Sequence, residues 1–238
     1  MTRHHIIKLY YDIISPYSFI GFESLLRYRV VWPIDVVLKP ICLGGLFRDV
    51  GNKPPVKSCE AKATYMAKEI EMIARHFGVP MIVPKNFSEH VMDSSTIDAC
   101  RLIIATQQLQ PEKAEAVSRC LFSRFWIENA PVQSEDDIKK ALYFTYFTYF
   151  SNYYVLKKAQ VENTKELLEE IKKDQIKEQL KLNTKEAQEI GAFGMPWITV
   201  TRADNAATEN YFGSDRLPII GEFIGESYHG PLRHLSLF

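Results

Sequence analysis

Residues 6–12 are apolar and aromatic-rich, and at Ser15-Pro16 the spacing of apolar positions changes from strand-like to helical. The stretch predicts a strand, then a helix over 16–29. Serine is a favoured cap, and proline at the first helical position lacks only a donor that would go unused there. Residues 36–41 form a second apolar run, so the chain opens strand–helix–strand, the unit that builds a right-handed parallel pair. Gly44-Gly45 and Gly51-Asn52-Lys53-Pro54-Pro55 then predict a long irregular loop, and loops of that length tend to carry function. Helix-period apolar spacing dominates from about 60 to 191, over 61–76, 95–108, 111–129, 134–142 and 164–190. Two strands follow, Trp197–Thr201 and Thr208–Phe212, around a hairpin turn at Ala203-Asp204-Asn205. Gly213-Ser214-Asp215 predicts the start of a last helix reaching about Gly225, with Ser214 or Asp215 as its cap.

The order is therefore βαβ, a helical block, then ββα. A large all-helical insertion between the two halves of a thioredoxin-like sheet produces that order. The expected fold is α/β, with 1–59 and 191–238 as one domain and 60–190 inserted into it. One segment fits poorly: Tyr143-Phe-Thr-Tyr-Phe-Thr-Tyr-Phe150, followed by Ser151-Asn152-Tyr153-Tyr154. The first expectation for it is an extra helix packed on the insertion or at a subunit contact. A membrane-surface patch would need the lysine-rich polar face that it lacks. A segment foreign to the functional protein is the remaining reading, and such a stretch would aggregate if exposed.

Composition narrows the classes. With 238 residues, 46% of them hydrophobic, the chain can bury a sizeable core. Lys+Arg and Asp+Glu both number 29, so the formal charge is zero. A nucleic-acid binder needs excess cations to displace counterions, which argues against that class. A neutral chain keeps itself apart poorly in solution, which favours an oligomer. Cys42, Cys59, Cys100 and Cys120 are far apart and make no C-x-x-C, as expected of a reducing compartment. Met1-Thr-Arg-His-His5 runs straight into the first strand, so no cleavable leader is expected, and Ser236-Leu237-Phe238 is not a peroxisomal address as it stands. No apolar run is long enough to cross a bilayer, so no stable membrane association is expected.

Candidate chemistry begins at Ser15-Pro16-Tyr17-Ser18. In thioredoxin-like redox proteins this strand-to-helix turn holds C-x-x-C, because a helix N-terminus stabilises a thiolate. Serine at both outer positions removes the disulfide and keeps the anion-favouring environment. The Ser15 hydroxyl can donate to a thiolate that arrives on another molecule, and glutathione is the obvious bearer. The competing reading is that Ser15 is only an N-cap, worth about 1 kcal/mol of helix stability. Gly191-Ala-Phe-Gly-Met195-Pro196-Trp197 supplies the second feature. A cis proline at this junction would offer the backbone of Met195 to a short peptide laid alongside as an added strand. The third is Phe212-Gly213-Ser214-Asp215-Arg216. Ser214 and Asp215 could hold a γ-glutamyl end, with Asp215 pairing to its α-amino group, unless they are an ordinary cap. Asn52 and Lys62 could hold the far glycine carboxylate. The histidines, His4, His5, His76, His90, His229 and His234, show no metal-ligand spacing.

Tyr11-Asp-Ile-Ile-Ser-Pro-Tyr-Ser18, Gly51-Asn-Lys-Pro-Pro55, Gly191-Ala-Phe-Gly-Met-Pro196 and Phe212-Gly-Ser-Asp-Arg216 together resemble the kappa-class glutathione transferases, in order and over nearly the whole chain. The resemblance implies a DsbA-like helical insertion and a homodimer. It also implies conjugation of glutathione to small electrophiles, with peroxidase activity as an accessory. By position, Ser15 becomes the thiolate-stabilising residue, and Ser15, Pro16, Tyr17, Asn52, Lys62, Met195, Ser214 and Asp215 become glutathione contacts, with no metal. Members of the class occur in mitochondria and peroxisomes, which makes an intracellular, soluble protein the expectation. The 143–154 stretch is longer and far more aromatic than the segment it replaces. Two other readings stay open. One is an isomerase similar to the glutathione-using 2-hydroxychromene-2-carboxylate isomerases. The other is a non-catalytic binding protein, for which Ser15 would be dispensable.

Overall fold

The computed structural model describes residues 4–143, 146–150, 153–157 and 159–235, with side chains described outside 143–158. In chain order the elements are β1 (His5–Tyr11), α1 (Pro16–Tyr28), β2 (Ile34–Pro40), α2 (Leu43–Val50), α3 (Glu60–Phe77), α4 (Phe87–Met92), α5 (Ile97–Leu109), α6 (Ala114–Trp126) and α7 (Glu135–Tyr143). They continue with β3 (Tyr146–Phe150), β4 (Tyr153–Lys157), α8 (Thr164–Glu170), α9 (Asp174–Glu189), β5 (Trp197–Thr201), β6 (Thr208–Phe212) and α10 (Leu217–Ile224). Four strands form one mixed sheet in the order β2-β1-β5-β6. β1 runs parallel to β2, with Ile7 opposite Val36, and antiparallel to β5, with Ile7 opposite Val200. β5 and β6 are the antiparallel hairpin that the sequence predicts, Trp197 facing Phe212.

Helix α1 packs between this sheet and the helices that follow, and it is buried on every side from Ser18 to Tyr28. It therefore buries its charged residues too, and each has partners. The Glu23 carboxylate accepts from Arg119 on α6, from Nε at 2.7 Å and Nη2 at 3.3 Å. Arg27 donates to the carbonyls of Phe77, Gly78 and Pro231, tying α1 to the end of α3 and to the C-terminal segment. Phe19, Phe22 and Tyr11 close around Phe122, with Phe19 stacked on it at 4.7 Å. Such ring pairs add about 0.5–1.5 kcal/mol beyond the area they bury. Among the described residues no helix is long and apolar enough to cross a membrane.

Several expectations are corrected. The region of Gly44-Gly45, read as irregular loop, is helix α2, ending at Gly51 in the left-handed conformation (φ 70°). Paired glycines disfavour a helix by about 1 kcal/mol each; burial of Leu43 and Leu46 and a hydrogen bond at the helix start outweigh this. The expected single helix over 164–190 is two, since Lys173 takes an extended conformation (φ −69°, ψ 143°) between α8 and α9. The last helix begins at Leu217, with Arg216 at the capping position, so Ser214 and Asp215 lie in the preceding turn and do not cap it. The aromatic segment is not an added helix. β3 and β4 pair antiparallel, Tyr149 opposite Tyr154, as aromatic and β-branched residues favour. Its residues 144–145 and 151–152 lie outside the described residues.

Two predictions follow from the packing. Glu23→Ala removes the carboxylate partner of a guanidinium inside the core and is expected to cost about 3–5 kcal/mol in urea unfolding, with no change in the slope. Glu186 on α9 accepts from Lys8, Tyr10 and Lys39 on the sheet, at 2.8, 2.7 and 3.0 Å. Burial opposes its ionisation, but these three donors outweigh it and bring its pKa from 4.5 down to about 2. The stability this adds is present above the unfolded value near 4.5 and is lost as pH falls through about 2. Thermal unfolding followed from pH 6 downward should show a shallower acid decline in Glu186→Gln than in the wild type.

Candidate active site

The end of β1 and the start of α1 are joined by a tight turn whose shape is set by several hydrogen bonds. The Ser15 amide donates to the carbonyl of Asp12 at 3.0 Å. The Trp126 indole, on α6, donates to the carbonyl of Ile13 at 2.8 Å. Ser15 caps α1 in extended conformation (φ −93°, ψ 115°), its hydroxyl accepting from the Ser18 amide at 3.1 Å. The same hydroxyl donates to the carbonyl of Met195, also at 3.1 Å. Pro16 occupies the first turn of α1, and that turn contains no acidic residue. The partial positive charge of the helix start therefore meets no local carboxylate within the turn.

Opposite the turn, the peptide bond between Met195 and Pro196 is cis, as expected. Pro196 and Ser214 approach α1 closely at Gly21, where a methyl group would lie 3.2 Å from Pro196 and 3.7 Å from Ser214. A side chain at position 21 would push the Met195 segment away from Ser15.

A cavity of about 310 Å³ opens beside Ser15. Its floor and near wall are Ile14, Ser15, Pro16, Tyr17 and Met195. One side is α2 with Leu43, Gly44 and Phe47; another is Val91, Met92 and Ser94; Pro54, Pro55 and Val56, Met66 of α3, and Phe193, Gly194 and Phe212 line the rest. Phe193 and Phe212 lie 4.6 Å apart, and although large and apolar they are 46% and 41% exposed at the rim. Asn52 also lines the cavity and donates to the carbonyl of Phe193 at 2.7 Å, bridging the segment after α2 to the one before β5. The Tyr17 hydroxyl donates to Glu69 on α3. Burial first, then that bond, raises its pKa far above the usual phenol, and Asp215 adds to the rise. Tyr17 therefore stays protonated, with its proton directed at Glu69 and away from Ser15.

Of the residues singled out in the sequence, the structure gathers Ser15, Pro16, Tyr17, Asn52 and Met195 around this one cavity. Ser214 is buried behind it, against Gly21. Asp215 is outside the lining and pairs with Arg216 at 2.8 Å near the surface. Lys62 is exposed on the first turn of α3, also outside the lining. The apolar walls from α2, α3 and 91–94 were not legible in the sequence. Pro54, Pro55, Phe193 and Phe212 did give a signal, since they lie inside three of the four segments that carry the resemblance. Among the described residues no group of three or more His, Cys, Asp or Glu side chains could hold a metal ion.

Comparison with known proteins identifies the family. A DSBA-like thioredoxin domain matches residues 6–144. Human glutathione S-transferase kappa 1 is 35% identical over 228 residues, 95% of this chain and 93% of its own length. Glutathione S-transferase kappa 2 of Caenorhabditis elegans is 30% identical over 233 residues, 98% of this chain and 97% of its own. Among solved structures, a 2-hydroxychromene-2-carboxylate isomerase superposes with a TM-score of 0.68 over 92% of this chain and 94% of its own; at 18% identity it speaks for the fold alone. Matched by the domain over more than half its length, and by kappa relatives along almost all of it, the chain belongs to the kappa class of glutathione S-transferases within the DsbA-like thioredoxin family.

Proposed function

We propose that the protein binds glutathione with its sulfur at Ser15 and conjugates the tripeptide, through that sulfur, to small electrophiles held in the apolar cavity. The observation that carries this reading is the Ser15 hydroxyl, placed at the start of α1 and donating at 3.1 Å to the Met195 carbonyl on the edge of the cavity. Without ligand, the proton of Ser15 is directed at Met195. A cysteinyl unit lying along Met195 as a short added strand brings its own amide N–H to that carbonyl. The Ser15 proton is then released to turn toward the incoming sulfur. Ser15 keeps the Ser18 amide as donor, so the hydroxyl stays oriented.

The chemistry is ionisation followed by attack. A thiol of pKa about 8.5 is mostly protonated at neutral pH, and each unit by which it falls represents about 1.4 kcal/mol of thiolate stabilisation. The thiol proton leaves to solvent, the thiolate forms the new sulfur–carbon bond, and the leaving group departs with its electron pair. The cavity contributes by holding both partners in contact. In this reading Pro16, Tyr17 and Asn52 contact the tripeptide, Ser214 and Asp215 hold its γ-glutamyl end, and Lys62 reaches its glycine carboxylate from α3. The same reading includes a homodimer, supported by a neutral chain with large exposed apolar side chains, and the mitochondrial or peroxisomal setting of the class. Reduction of hydroperoxides would use the same thiolate.

Three of the chain's four thiols are poor substitutes for that of glutathione, and the fourth, the exposed Cys59, lies outside the cavity lining. Burial raises the pKa of Cys42 and Cys100, with Asp12 adding to the rise, and pushes Cys120 up to about 12. This supports a bound thiol as the nucleophile over a thiol–disulfide exchange within the protein.

The test is an ultraviolet titration of bound glutathione on wild type and Ser15→Ala. The wild type is expected to lower the thiol pKa by about one to two units, and the variant to lose most of that shift while unfolding with only about 1 kcal/mol less stability, the value of the cap. Saturating glutathione that binds without ionising would overturn the reading. Electrophile turnover with no net loss of glutathione would reassign the same site to isomerisation.

A further inference from the structure

Directly behind the Ser15 turn lies a carboxylate that the mechanism above does not use. Asp12 is 2% exposed, and its hydrogen bonds reach the Ser15 turn, the start of α2 and the stretch that follows the third cavity wall. Oδ1 accepts from the amide of Ile14 at 3.1 Å, fixing the turn that presents Ser15. Oδ2 accepts from the amide of Leu43 at 2.8 Å, the first residue of α2 and of the cavity wall it forms. Oδ1 also accepts from the Thr96 hydroxyl at 2.6 Å, two residues beyond Ser94 on the third wall, and from the Cys100 thiol at 3.6 Å. The backbone carbonyl of Asp12 holds the amide of Ser15 itself. Three separate stretches of chain thus converge on one buried side chain.

Burial alone raises the pKa of this carboxyl, and the bonds from Thr96, Leu43, Ile14 and Cys100 oppose the rise. The two amides have fixed protons, and burial holds the Cys100 thiol well above its ordinary range, so the pattern around Asp12 is one of donors facing an acceptor. An acceptor with two oxygens, one toward the active turn and one toward α2, is what the position requires.

We propose that Asp12 is a positioning residue for the conjugation reaction, locking the Ser15 turn and the α2 wall in register so that the bound sulfur meets the Ser15 hydroxyl and the start of α1. The proposal rests on the glutathione-transferase reading above. It distinguishes Asp12 from an ordinary core polar group because asparagine, its near-isostere, cannot serve both sides. With its oxygen toward Ile14, the Asn amide group faces the Leu43 N–H, donor against donor, and α2 is released. Flipped, it holds Leu43 and releases the turn.

The experiment compares full-length wild type, Asp12→Asn and Thr96→Val, using glutathione with a chloronitrobenzene as electrophile. The readouts are thermal unfolding, kcat and KM for glutathione, and the thiol pKa of bound glutathione. Asp12→Asn is expected to raise the bound thiol pKa by about one unit and to lower kcat about tenfold, while KM for glutathione changes by less than about threefold. KM is spared because Met195, which aligns the tripeptide, is not among the partners of Asp12. Thr96→Val removes the donor that holds Oδ1 of Asp12 in place against Ile14, loosening both clamps without breaking either, so the same shifts should appear at about a third of the size. It carries the test alone if Asp12→Asn does not fold.

A purely structural role for Asp12 would lower the unfolding temperature and leave the bound thiol pKa and kcat at wild-type values. A role as buried negative charge alone would move the thiol pKa down when the charge is removed, opposite to the expected direction. Either result overturns the proposal. Wild-type protein that binds glutathione without ionising it would instead bring down the transferase reading, and the role of Asp12 with it.

Discussion

Everything at the active turn depends on α1 being enclosed on all sides. A helix whose N-terminus must favour an anion benefits from having its length removed from water, because screening weakens the charge at its end. Enclosure has a cost, since the helix carries Glu23 and Arg27 into the interior. Glu23 answers Arg119 of α6, and Arg27 is divided among three backbone carbonyls from the end of α3 and the C-terminal segment. These polar contacts make the helical layer and the C-terminal segment necessary to the same element that presents Ser15. Gly21 allows the other half of the sheet to close on it, bringing Pro196 and Ser214 against the helix.

The site that results favours a negative charge without placing a cation beside it. Among the described residues the cavity lining contains no lysine or arginine, and the first turn of α1 has no acidic residue to oppose the helix dipole. One hydroxyl and the start of a helix are modest donors, so their placement matters more than their number. A hydrogen bond weakens steeply with misalignment. Preorganisation is therefore carried by residues that do not touch the cavity, such as Trp126, whose indole holds the carbonyl of Ile13. The walls, by contrast, are apolar and come from α2, α3, the 91–94 stretch and two phenylalanines at the rim. They suit a small apolar electrophile.

Much of this was legible beforehand. Ser15-Pro16 declared a capped helix, the apolar runs at both ends declared the sheet, and Trp197–Thr201 and Thr208–Phe212 were bounded as the structure has them. These are local signals, carried by capping chemistry and period-two spacing. The errors share a cause of the opposite kind. Gly44-Gly45 argues against a helix until Leu43 and Leu46 are buried and Asp12 takes the Leu43 amide. The Tyr-Phe-Thr repeat was expected to add a helix, but its residues pair as two antiparallel strands, a state none of the expected alternatives included. Ser214 reads as a cap from its neighbours, yet it is buried against Gly21, nearly two hundred residues earlier in the chain.

The sequence by itself determined the strand–helix–strand opening and the closing hairpin and helix, the serine in place of a cysteine at the active turn, and the family, because each is written in residues adjacent along the chain. The tertiary structure decided what surrounds that serine: the Met195 carbonyl its proton reaches, the apolar cavity beside it, and the buried Asp12 on which three segments meet. Those depend on contacts between residues thirty to one hundred and eighty positions apart. Local spacing contains no information about which distant groups will share one small volume once the chain has packed.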